Sequence, residues 1–203
     1  MERKFEGIVE KDDDLIVVGG FNAHYANQII EKSKEPHILR WTPRDADERF
    51  TDLETLTKYF EDREPHLLLD IEKDEVGGAI WYGRKDPPID VPPPVPVHTF
   101  AIRLYEGYAG RGLMKDFMRL SFSEFIGTRY FSAELPEFNG IWLGVDKDNH
   151  KAIRNYLKFG YETVGSYDDG ARLVMVLSEA KVLGIIKGGW PSWLPPPQKL
   201  KSQ

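Results

Sequence analysis

Apolar positions along the chain switch between a period of two and a period near 3.6, and the switches mark the elements. The densest patterning lies between His98 and Tyr161. A strand is predicted over 97–105, where Phe100 and Ile102 share a face with His98. Glu106-Gly-Tyr-Ala-Gly-Arg-Gly-Leu-Met114 then turns into an amphipathic run that reaches Phe125. A second strand is predicted over 140–145 and a second helix over 149–160, closed by Tyr161. Upstream, 15–18 reads as a short strand, 22–33 as a helix capped by Asn22, and 37–41 as the first core strand. Thr42-Pro-Arg-Asp45 reads as a helix start, with Thr42 as N-cap and Pro43 at the first position. Leu53, Leu56, Tyr59 and Phe60 predict a helix over 53–63, and the runs 66–71 and 78–83 predict a hairpin. The proline-rich 86–96 must be an extended loop, poor in ladder donors. Residues 127–139 read as irregular, and 162–167 with 172–177 as a closing strand pair.

This divides the chain into an extension over 1–36, a mixed α/β domain over 37–179, and a Trp/Pro-rich tail over 180–203. The extension either covers the sheet or forms a homodimer contact; both readings stay open. At 203 residues with 41% hydrophobic positions the chain can bury one sizeable core. It has no cysteine, which excludes a disulfide framework, a thiolate nucleophile and zinc–cysteine sites. The N-terminus lacks the apolar core of a signal peptide, and no apolar run is long enough to span a membrane. A cytoplasmic protein is expected. The net charge of −6 argues against nucleic acid as the main partner.

The candidate chemistry sits where strands become helices. Gly110 and Gly112 stand at one such junction, where glycine lets backbone approach a ligand closely. The unpaired amides of the following helical turn, backed by the helix dipole, form an anion site. Asn149, Ala152, Tyr156, Lys158, Gly160 and Tyr161 follow the spacing N-x-x-A-x-x-x-Y-x-K-x-G-[FY].

That spacing, downstream of Ala-Gly-Arg-Gly-Leu-Met, resembles the cofactor-binding motifs of the GNAT N-acetyltransferase superfamily over roughly 97–177. The strand-T-x-x-D-A pattern at 37–46 is similar to the protein N-terminal acetylating branch of that family. Ala109 stands where the family has Gln or Arg, and Met114 where it has Gly or Ala. The resemblance implies a mostly antiparallel, splayed sheet with helices on both faces, and acetyl-CoA as co-substrate, with no metal. Ile102, Arg103 and Leu104 would offer main-chain groups to the pantetheine arm. Ala109, Gly110, Arg111, Gly112, Leu113, Met114 and Lys115 would hold the diphosphate, and Asn149 the arm's amide or only the helix cap. The basic set Lys147, Lys151, Arg154 and Lys158 would lie near the cofactor phosphates. Tyr156 would be the general acid that protonates the departing thiolate.

The acceptor amine must lose a proton, and the family's base position falls near His98, with Glu106 and Asp146 as rivals. The acceptor would be a small-molecule or peptide amine. Between Pro43 and Glu75 there are five basic and twelve acidic residues. This is either a solvated face or an acidic approach for a cationic amine. Two alternatives remain: a non-catalytic CoA-binding module, and transfer of another acyl group.

Overall fold

The computed structural model describes residues 6–9, 12–130 and 138–187. They form an eight-stranded sheet in the order β1-β2-β3-β4-β5-β6-β8-β7. The strands are β1 (Glu6–Val9), β2 (Asp12–Gly19), β3 (Arg63–Asp70), β4 (Glu75–Arg84), β5 (His98–Leu104), β6 (Gly140–Asp146), β7 (Glu162–Tyr167) and β8 (Arg172–Ser178). Neighbours are antiparallel except β5 and β6, which run parallel. The mixed α/β, mostly antiparallel sheet read from the sequence is present.

Helices cover both faces. On one face lie α1 (Ala23–Lys32), the short α2 (Pro36–Trp41), a π-helical turn (Asp45–Arg49) and α3 (Leu53–Tyr59). On the other lie α4 (Met114–Tyr130), α5 (His150–Phe159) and α6 (Glu179–Lys187). The sheet therefore separates two cores. Leu15, Val17, Leu68, Ile80, Phe100 and Leu143 pack against Phe117, Phe122 and Phe125 of α4. Ile16, Val18, Leu67, Leu69 and Trp81 pack against Ile29, Leu56 and Phe60. Burial on both faces explains the unbroken apolar run Leu15–Val18, which a one-sided strand would interrupt with polar residues.

The first 36 residues, expected as an extension, supply β1, β2 and α1, and β2 pairs with β3 from Leu15↔Asp70 to Gly19↔His66. That pairing corrects the strand expected over 37–41, which is the helix α2. Pro36 at its first turn pre-sets the helical φ, and the sheet position beside β3 is already filled by β2. The Thr42 hydroxyl donates back to Ile38 O (3.0 Å), closing α2 rather than capping the turn that follows. The likeness to the N-terminal acetylating branch thus loses its strand. Residues 127–130, expected as irregular, continue α4. Residues 180–187 of the expected tail belong to α6, with Val182 buried; Trp190 and Trp193 lie outside the described residues. No helix of the described residues is long and apolar enough to cross a membrane.

Candidate active site

β5 and β6 pair only at His98↔Ile141 and Thr99↔Trp142, then part. On its other side β5 pairs with β4 along its whole length, from His98 to Leu104. The split leaves Ile102 and Leu104 with carbonyls that no strand satisfies, and side chains meet them instead. Arg103 Nη1 donates to Ile102 O (2.9 Å), and His37 Nε2 to Leu104 O (3.0 Å). Arg103 O faces Gly78 of β4. Of the three main-chain groups expected at the opening, those of Ile102 and Leu104 lie there, whereas Arg103 contributes through its side chain.

A cavity of about 430 Å³ opens from the split. Ile102, Arg103, Leu104, Ala109, Gly110, Gly112, Leu113, Met114 and Asn149 all line it, together with Asp146, Lys151 and Tyr156. Arg111 and Lys115 do not; the Arg111 guanidinium lies over the Tyr108 ring (5.4 Å) and Lys115 is exposed. Of the four cations expected near the phosphates, only Lys151 reaches the wall.

The glycine turn has the backbone the ligand reading requires. Gly110 has φ +89, and a side chain there would meet nothing within 4 Å, so its outer face is open. In the first turn of α4, Phe117 N–H donates to Leu113 O (3.0 Å). The amides of Met114 and Lys115, which precede that bond, open the helix toward a ligand. Ala109 N–H, by contrast, donates to Tyr105 O (2.9 Å) and belongs to the turn itself. Met114 packs partly against the core on the α4 face, and the cavity remains open beside it.

Tyr108 anchors this turn from below. Its ring is buried where a side chain on Gly77 would stand, and its hydroxyl lies 2.9 Å from Asp70 Oδ2 and 2.8 Å from Glu75 Oε2. Burial and the two carboxylates push the phenol well up. Burial opposes the charge on Asp70, but hydrogen bonds from Lys73 and Tyr108 outweigh it and hold the carboxyl below its ordinary value.

On α5, Asn149 is the N-cap: its Oδ1 accepts from Ala152 N–H (3.2 Å). It also lines the groove, so capping does not remove it from the site. Two turns on, Tyr156 is nine-tenths buried, and burial pushes its phenol up to about 12 while nearby Arg103 pulls the other way.

A larger cavity, about 880 Å³, lies on the α2–α3 side. It meets the groove along a shared strip that includes Trp41, Ile102, Arg103, Tyr156 and Arg172. Arg103 is fixed in that strip. Its Nε and Nη2 donate to Asp45 Oδ2 (2.7 and 2.6 Å), and the guanidinium lies 4.8 Å from the Trp81 ring. Asp45 is fully buried and also accepts from Arg49 Nη1 (2.8 Å). Sequence reasoning missed this Arg103–Asp45 pair, and Trp41 and Arg172 as walls. The partners are 58 residues apart, with no local spacing to signal them.

The structure separates two of the three base candidates, His98 and Glu106, from the cavities. His98 is buried with its ring against Phe125 and Phe138 (5.7 Å each), on the α4 face of β5, and lines neither cavity. The part of β5 that lines the larger cavity runs from Thr99 to Arg103, and His98 lies just before it, where β5 still pairs with β6. Glu106 also lines neither cavity, whereas Asp146 lines the smaller one. Of the two readings of the acidic run, the lining favours the solvated face: eight Lys and Arg line the larger cavity, against the two carboxylates Glu48 and Asp62. Glu64, His66 and Glu124 are grouped closely enough to share a metal ion, but they lie under α4 and line neither cavity.

Solved structures share this architecture. An aminoglycoside acetyltransferase AAC(6')-Ib in complex with coenzyme A aligns at TM-score 0.61 and 19% identity, over 81% of this chain and 96% of that one. The chain has the GNAT acetyltransferase fold. Spermidine N-acetyltransferase from Vibrio cholerae, in complex with CoA and spermine, aligns at TM-score 0.59 and 16% identity over 85% and 99% of the two chains. Ribosomal-protein-S5-alanine acetyltransferase from Vibrio fischeri aligns at 0.56 and 16% over 82% and 94%. No family model matches the sequence, and no curated protein matches it.

Proposed function

We propose that the protein is an acetyl-CoA-dependent N-acetyltransferase acting on a primary amine. The observation that carries this reading is Tyr156, which stands in the strip shared by the β5/β6 groove and the larger cavity. The GNAT fold, and solved neighbours crystallised with CoA, support it. The residues fit the carrier. Gly110, Gly112 and the first amides of α4 would hold the diphosphate. Ile102 and Leu104 offer main-chain groups that no neighbouring strand pairs, and Asn149 its carboxamide. Bound there, acetyl-CoA supplies a thioester whose acyl group passes to the amine with release of the CoA thiol.

The chain's own groups then have defined tasks. Walls from α2 and α3 orient the acceptor beside the strip. Tyr156 holds a proton at its Oη and gives it to the leaving sulfur. A phenol near 12 keeps that proton throughout the physiological range, so the donor is always loaded. The transfer is uphill toward a thiol of pKa about 8.5, which demands direct contact in the transition state. The amine's proton leaves through water, because none of the five histidines lines the larger cavity and its two carboxylates are held by Arg44 and Arg63.

Tyr156→Phe tests the assignment. Steady-state kinetics should show kcat lower by about 10²-fold, the usual size of a positioned proton donor. Affinity for acetyl-CoA should match wild type. Full activity in this variant would remove Tyr156 from the chemistry.

A further inference from the structure

The larger cavity has a charge that the rest of the chain does not. The protein carries 33 acidic and 27 basic residues, yet this cavity gathers eight of the basic ones and two of the acidic. Counting the buried Asp45 behind Arg49 and Arg103, cations still outnumber carboxylates eight to three. Arg44 is spent on Glu48, and Arg63 on Asp62. Lys58 on α3, with Arg84 and Lys85 at the end of β4, line the cavity with no carboxylate partner among the described residues. All three line the larger cavity and not the groove, so they are not part of the glycine turn's anion site.

From this arrangement we infer that the acceptor is a small amine that also carries an anionic group, a carboxylate or a phosphate. The inference rests on the acyl-transfer reading and names the substrate class for that site. A polyamine or another polycation would meet like charge on Lys58, Arg84 and Lys85, which costs binding. An anion seated on them would leave the amine free to face Tyr156 across the cavity. The volume, about 880 Å³, admits an acceptor of ordinary metabolite size.

The test uses the full chain and four amines with short linear spines: 3-aminopropanoate, O-phosphoethanolamine, neutral 3-aminopropanamide and 1,3-diaminopropane. CoA release is followed at low and high salt. The anionic pair should exceed the amide in kcat/KM by about tenfold at low salt, with the diamine lowest and the advantage shrinking as salt rises. The ranking within the pair tells carboxylate from phosphate. Replacing Lys58→Gln and Arg84→Gln together should lower kcat/KM for the anionic pair by about tenfold. A parallel arm reads binding without turnover, as the melting-temperature shift of CoA-loaded protein with the N-acetyl product of each amine. If nothing is acetylated, the acyl-transfer reading fails, while a larger shift with the anionic products still upholds the charge preference. Equal shifts, no shift at all, or the largest response from the diamine overturns it.

Discussion

The groove and the larger cavity share a wall but are built in opposite ways. The groove is assembled from two short stretches, residues 102–114 and 144–156, with α2 and Arg172 closing it, and the contacts proposed for it are largely main-chain. The larger cavity draws on α2, the π-helical turn, α3, the ends of β4 and β5, and the β7–β8 hairpin, and its surface is side chain and charge. Backbone recognition depends on where strands part and helices begin, which local sequence dictates. Side-chain recognition depends on which distant segments meet. The proposed carrier site is therefore readable from motifs, and the proposed acceptor site only from the fold.

The sharpest way to break this division is at the residue both regions use. Arg103→Met removes the main partner of a fully buried carboxylate, Asp45, leaving Arg49 to hold it alone. Breaking a buried pair costs about 3–5 kcal/mol, so chemical denaturation should show a loss toward the lower figure. A variant as stable as wild type would mean that Asp45 is solvated, and that the two regions are not joined through Arg103.

A smaller effect isolates the groove. Tyr108→Phe removes a hydrogen bond to charged acceptors, Asp70 and Glu75, beneath the glycine turn. It should cost about 1.5–3 kcal/mol in stability. It should also weaken acetyl-CoA binding in calorimetry, while leaving the order of acceptor preference intact. Changed acceptor preference would show that the two regions are not separable.

The smallest effect is silent at neutral pH. Burial raises the phenols of Tyr82, Tyr105, Tyr108, Tyr156 and Tyr161 above the ordinary value of 10. Between about pH 10 and 12 the unfolded chain loses protons that the folded chain retains, so stability is fully present below 10 and falls as pH rises. Melting temperatures should drop across that window. A flat profile would show these phenols to be solvated.

How far the sequence reached follows from the same contrast. The run from His98 to Tyr161 was legible because each step there is local. Alternation makes β5, Gly110 opens the turn, Asn149 caps α5, and Tyr156 falls two turns later. His37–Trp41 was misread because five residues fit either period, and only the occupancy of the neighbouring sheet position by β2 decides between them. His98 was placed at the site by counting along a strand. The count gives the position but not which layer the buried face meets, and α4 meets it. The acidic tally over 43–75 left two readings open for a related reason. Asp45 turns inward to Arg103, while Asp70 and Glu75 turn toward Tyr108, leaving the cavity to the cations. Linear charge does not predict facing charge.

The account rests on the split between β5 and β6 taking the thioester carrier, and calorimetric titration of the intact protein with acetyl-CoA tests this most directly. The expected result is one saturable site of roughly micromolar Kd, about −8 kcal/mol. Absence of saturable binding up to millimolar acetyl-CoA would contradict the account at its root.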